Sequence, residues 1–157
     1  MSELTNLIVF RLGAQRYAVP VAVVQRIVRA VAVTPLPKAP IIVLGVIDLE
    51  GQVLPVLNIR RRIGLPDQDI RLTDQFLIVQ TVQRAVVLVI DEAQGVIERP
   101  SAEIVSPARI IPGLEQVQGV IKLQDGLALI YNLEMLLSLD EGRSLDEAMR
   151  QEVALAI

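Results

Sequence analysis

Short apolar runs recur along the chain at strand-like intervals, separated by turn residues. The pattern predicts strands over residues 7–12, 17–21, 43–49, 53–57, 76–82, 85–90, 95–98, 118–123 and 127–131. Residues 23–31 continue in extended or partly helical form. Pro35, Pro37 and Pro40 fix φ and lack donors, so residues 34–40 belong at a sheet edge or in a loop. Glu50-Gly51-Gln52 and Asp125-Gly126 mark two hairpins. Residues 66–74 are polar and predict a mobile connector, and residues 99–115 a long irregular excursion. Helical signals are few. Ser144-Leu-Asp-Glu147 fits a capping box, and Leu145, Ala148, Met149, Val153 and Ala156 share one helical face, which predicts a C-terminal helix over 144–156 docked on the sheets.

The chain also repeats itself. Residues 45–59 align without gaps on residues 119–133: Gly45 meets Gly119, Val46 meets Val120, Ile47 meets Ile121, Leu49 meets Leu123 and Asn58 meets Asn132. Each Asn can accept from the orphan N–H groups of a short helix that follows, over 59–63 (closed by Gly64) and over 133–137. Upstream, Leu7-Ile-Val9 before Arg16 resembles Leu77-Ile-Val79 before Arg84. The expectation is one domain of two repeated halves, residues 7–65 and 75–139, each with about five strands. A sheet that small avoids open edges by curling into a barrel, and two barrels can share one core.

Composition narrows the function. Of 157 residues 52% are hydrophobic but only 3% aromatic, so Val, Ile and Leu build the core. The chain has neither His nor Cys, which removes the commonest general base and metal ligand along with all thiol chemistry. A net charge of −3 argues against a nucleic-acid binder. No apolar run is long enough for a signal peptide or a membrane helix, and a cytoplasmic protein is expected.

The segment Gly45-Val-Ile-Asp-Leu-Glu-Gly-Gln-Val-Leu-Pro-Val-Leu57 resembles the CheW family, where Gly-Val-x-Asn-Leu-Arg-Gly-x-x-x-Pro-Val is the most recognisable stretch. Residues 17–21, 24–27, 34–37, 88–92 and 119–137 agree as well, so the similarity spans residues 7–139. The resemblance implies an all-β fold of two five-stranded SH3-like barrels. It also implies a non-enzymatic adaptor that couples chemoreceptor signalling tips to the regulatory domain of a CheA-type histidine kinase. Two charges depart from the family. Members usually carry Arg where this chain has Glu50, and often Glu where it has Arg26, so an ion pair of opposite polarity is expected between them.

No site chemistry competes strongly. Asp91 and Glu92 are strand neighbours that point to opposite faces. Asp48 and Glu50 share a face, but no further ligand stands nearby to complete a metal site. Arg60, Arg61 and Arg62 read as the solvated side of a short helix. No phosphate-cradling glycine motif occurs, and Ser101 and Ser106 lack a base partner. The expected interaction surface is Val24, Arg26, Ile27 and Val28 with Asp48, Leu49, Glu50 and Gly51; no cofactor, nucleic acid or membrane insertion is expected. The alternative is a small-molecule-binding or enzymatic barrel using the cleft between the halves.

Overall fold

The computed structural model describes residues 3–106 and 117–156, with side chains to residue 151. The strands are β1 (Leu4–Leu12), β2 (Gln15–Pro20), β3 (Val24–Arg29), β4 (Val43–Leu49), β5 (Gln52–Leu57), β6 (Gln75–Gln80), β7 (Ala85–Ile90), β8 (Glu92–Pro100), β9 (Val117–Leu123) and β10 (Gly126–Tyr131). Among the described residues two α-helices join them, α1 (Ile59–Ile63) and α2 (Leu139–Ala156). Single 3-10 turns lie at Val21–Val23, Ser101–Glu103 and Leu133–Met135. The all-β expectation holds, with two five-stranded sheets.

The sheets do not divide the chain into its early and late parts. One has the order β8-β1-β2-β10-β9, the other β3-β6-β7-β5-β4. Each therefore combines two strands from one repeat with three from the other, and the chain crosses between sheets before β3 and before β8. Adding five to each strand number, cyclically, converts one order into the other. The two sheets thus have matching strand orders, each built from strands of both halves.

Closure explains the aligned glycines. Thr34, beyond the end of β3, exchanges two backbone hydrogen bonds with Val46 on β4, at 2.9 and 2.8 Å. Val105, beyond β8, does the same with Val120 on β9, at 2.9 and 2.8 Å. These bridges link the two edges of each sheet and close it into a barrel. Gly45 and Gly119 stand beside them, where a Cβ would collide with the crossing segment.

Three apolar clusters fill the molecule. Leu7, Val9, Ala18, Ile121, Ala128 and Ile130 fill the first barrel, and Ile47, Leu54, Val56, Phe76, Ile78 and Val87 the second. Between the sheets lies the largest cluster, which includes Phe10, Leu12, Val19, Leu57, Leu77, Val79, Val86, Leu88 and Tyr131. Strands β6 and β7 alternate between a barrel interior and this shared core, so they read as unbroken apolar runs.

Pairing also corrects the upstream alignment. Val56 on β5 lies beside Val87, and Ile130, its counterpart on β10, lies beside Ala18. Val87 therefore corresponds to Ala18, and through the ladders Leu77 corresponds to Ile8. Aligning Leu77 with Leu7, or Arg84 with Arg16, is one residue out of register, which exchanges barrel-facing for core-facing side chains.

Local signals fared differently. Asn58 caps α1 by accepting from Arg60 N, and Gly64 ends it at φ 81°. Asn132 accepts from Glu134 N as expected, but a 3-10 turn follows instead of a helix over 133–137. Residues 23–31 do not run on as one element, because the 3-10 turn at Val21–Val23 precedes β3. The helix expected over 144–156 begins earlier, because the working capping box is Ser138-Leu-Asp-Glu141. Glu141 N donates to Ser138 Oγ at 3.1 Å and Ser138 N donates to Glu141 Oε1 at 2.9 Å. Leu145 and Ala148 are buried on its inner face; the side chains of Val153 and Ala156 lie outside the described residues. The connector over 66–74 forms no strand or helix, but it ends on buried Asp74, whose carboxylate accepts from Arg71 N at 2.8 Å. In the excursion, β8 extends to Pro100 and Val105 bridges β9; residues 107–116 lie outside the described residues.

Candidate functional site

Strand β3 is an end strand of its sheet, and its pairing with β6 breaks between Val24 and Arg26, leaving Gln25 as the extra residue of a bulge. Val24 lies opposite Val79, and Ile27 opposite Leu77, so both face the shared-core side. Val24 packs partly against that core, whereas Ile27 is 39% exposed. Arg26 and Val28 lie opposite Ile78 and Phe76, on the side of the second barrel's interior. Val28 packs into that interior, and Arg26 is exposed. Ile27 and Arg26 are therefore available for contact, while Val24 and Val28 largely serve packing.

The hairpin tip between β4 and β5 supplies the rest. Glu50 and Gly51 both take positive φ, 53° and 88°, as a tight two-residue turn requires. Asp48 Oδ1 accepts from Gly51 N at 2.8 Å, so its carboxylate holds the turn together. Leu49 packs against the second barrel's core. Glu50 is left pointing outward, and its Oε1 lies 3.2 Å from Arg26 Nη1. The two reversed charges meet as an ion pair, with side chains 45% and 76% exposed.

An equivalent surface on the first barrel went unread in the sequence. The β8–β1 pairing breaks at the matching place, leaving Gln94 extra where Gln25 is in β3. By pairing, Gly95 occupies the place of Arg26 and Val96 that of Ile27. Gln124 and Leu127 match Glu50 and Val53 through the hairpin repeat. Val96 is 64% exposed and Leu127 47%, so an apolar counterpart exists; Gly95 and Gln124 carry no charge there, and the neighbouring ion pair is Arg16–Asp125, at 2.7 Å. The signal that could have found it was the second Gln bulge, hidden by the register slip.

Of the α1 arginines Arg61 is exposed, as expected, whereas Arg60 and Arg62 are partly buried, and all three are paired. Arg60 pairs with Asp91 at 2.8 Å, Arg61 with Asp67 at 3.1 Å and Arg62 with Glu141 at 2.7 Å. Burial pushes the Glu141 carboxyl up, but the Ser138 N–H and Arg62 outweigh it and hold it below the usual carboxylate range. Arg84 pairs with Asp146 of α2, and its Nη1 donates to Met149 Sδ at 3.1 Å. Arg62 and Arg84 thus seat the terminal helix. Among the described residues no cluster of three acidic groups is arranged to hold a metal ion.

Comparison with known proteins agrees with the geometry. The family model described as a CheW-like domain matches residues 6–141. The chemotaxis protein CheW of Treponema pallidum is 26% identical over 145 residues, covering 88% of this chain and 85% of that protein. Its counterpart in Rhizobium meliloti is 28% identical, covering 88% and 94%. The crystal structure of the scaffolding protein TtCheW from Thermoanaerobacter tengcongensis superimposes with a TM-score of 0.79 at 24% identity, over 90% of this chain and 96% of that one. An enzymatic or small-molecule-binding barrel is not favoured by this company. The chain belongs to the CheW-like domain family, whose members are chemotaxis adaptors and not enzymes.

Proposed function

We propose that this chain couples a chemoreceptor signalling tip to the regulatory domain of a CheA-type histidine kinase, in the cytoplasm at membrane receptor arrays. The observation that carries the reading is the Arg26–Glu50 pair, which ties an exposed strand bearing Ile27 to an exposed hairpin tip. An ion pair this exposed contributes about 0–1 kcal/mol to stability. Its use lies in partner choice, because charges at an interface set register and reject mismatched surfaces. Apolar contact through Ile27 supplies affinity. No helix among the described residues is long and apolar enough to cross a membrane, which is consistent with recruitment by partners.

The test is calorimetric titration of the purified chain with the receptor tip and the kinase regulatory domain from the same organism. Glu50→Arg should weaken binding of at least one partner about tenfold. Arg26→Glu combined with Glu50→Arg should recover part of that loss, because the bridge is restored with its polarity exchanged. Unchanged affinity for both partners in Glu50→Arg would remove the proposed surface from contention.

A further inference from the structure

Asp91 is the residue at which the chain leaves β7 in the second barrel and enters β8 in the first. Its side chain is 5% exposed, yet it gathers donors from three separate elements. From the β1–β2 hairpin, Gly13 N donates to Oδ2 at 2.8 Å and Arg11 Nη1 donates to the same oxygen at 3.1 Å. From α1, Arg60 Nη2 donates to Oδ1 at 2.8 Å. From the connector before β6, Arg71 Nη2 lies 3.6 Å from Oδ1 and is also held by Asp74 at 3.3 Å. The backbone takes part too, since Asp91 N donates to Arg11 O at 3.0 Å.

The other crossover lacks such a device. Between β2 and β3 the chain makes the 3-10 turn at Val21–Val23, without a side-chain cap. The hairpin bearing Arg11 and Gly13 belongs to the first barrel, whereas α1 and the connector flank strands of the second. Apolar burial in the shared core holds the barrels together but is non-directional. Charge-assisted hydrogen bonds are short and directional.

We infer that Asp91 is a positioning residue that sets the angle between the two barrels by joining the first barrel's hairpin to the helix and connector of the second. The inference is independent of which partners dock. Three guanidinium groups face one carboxylate: Arg11 from β1, Arg60 from α1 and Arg71 from the connector. Glu92, next along the chain, is exposed and takes no part. With the anion neutralised, the three cations repel one another and drive α1 and the connector away from the hairpin. The effect is a reorientation between barrels whose interiors stay filled.

The chain has no cysteine, so a spin-label pair is easily installed at two exposed positions, Gln52→Cys on β5 and Lys122→Cys on β9. Pulsed electron resonance then reads the distance between barrels, and circular dichroism reads the fold. Asp91→Asn should broaden and shift the distance distribution while the strand signal is retained, and Asp91→Glu should stay closer to the parent. A folded Asp91→Asn protein with an unchanged distribution overturns the inference. Should that variant fail to fold, Arg60→Gln decides. It removes one tie between the barrels but leaves Asp91 the Gly13 and Arg11 donors, so broadening supports the inference and a parental distribution overturns it.

Discussion

Replacing Gly45 with alanine attacks barrel closure at its tightest point. The new Cβ would overlap the Thr34 carbonyl oxygen and lie 2.7 Å from Val33 Cγ1. Backbone cannot rotate aside, so residues 33–34 must retreat and strain the Thr34–Val46 bonds of 2.9 and 2.8 Å. Each lost hydrogen bond costs about 0.5–1.5 kcal/mol and overpacking about 1–3, so about 3 kcal/mol is expected in total. Gly119→Ala offers a built-in control. Its Cβ meets the Cγ2 methyl of Ile104, while the nearest backbone atom, Val105 O, stands 3.5 Å away. A methyl can turn away at the cost of an off-rotamer side chain, about 1 kcal/mol. Urea unfolding separates the two. With a slope of about 1–3 kcal/mol per molar urea, Gly45→Ala should lower the midpoint by about 1–3 M and Gly119→Ala by about a third as much. Equal losses, or a larger one at Gly119, would refute the reasoning that these glycines admit the closing segments.

Other outcomes follow from the caps, the buried carboxylates and the tyrosines. Asn58→Ala should cost about 1–2 kcal/mol by urea unfolding, because Asn58 is buried and also donates to Asp67, whereas Asn132→Ala should cost about 0.5–1. Burial raises the Asp91 carboxyl, but the Gly13 N–H, Arg60 and Arg11 outweigh it and leave it below the ordinary range, as Glu141 also is. A depressed folded value stabilises above the unfolded value and is lost as acid titrates the folded group. The urea midpoint should therefore fall as pH drops from about 5 through the usual carboxylate range near 4, and less steeply in Asp91→Asn; parallel profiles would contradict this. Burial pushes Tyr131 up to about 12 and raises Tyr17 as well, and the chain holds no other tyrosine. Near pH about 10.5 the folded protein should show less tyrosinate absorbance than the urea-unfolded chain. Equal absorbance in the two states would mean the rings are open to water.

Much of the candidate surface was legible because it is local. Gly51 follows from the turn it must make and Asn58 from the helix it precedes; the meeting of Arg26 and Glu50 is not local, and was legible through the resemblance to a family in which both charges are reversed. The counterpart around Val96 and Leu127 was hidden. In strands buried on both faces, apolar residues fill every position, so the period of two no longer says which face is which and a one-residue slip goes unnoticed. Leu7-Ile-Val9 and Leu77-Ile-Val79 look alike for that reason, although Leu77 corresponds to Ile8.

Alone, the sequence determined the strand runs, the hairpin turns, the Asn caps and the existence of a repeat, since each depends on neighbours within a few residues. Only the tertiary structure decided which of two identical Ser-Leu-Asp-Glu stretches starts α2. The helix begins at the stretch whose Glu141 both closes the Ser138 box and pairs with Arg62, distant in the chain. It likewise decided that the repeats exchange strands. Contiguous and interleaved barrels place the same residues in the same local conformations, and they differ only in long-range pairing. The same holds for the arginines of α1, whose partners Asp91 and Glu141 arrive from elements far along the chain.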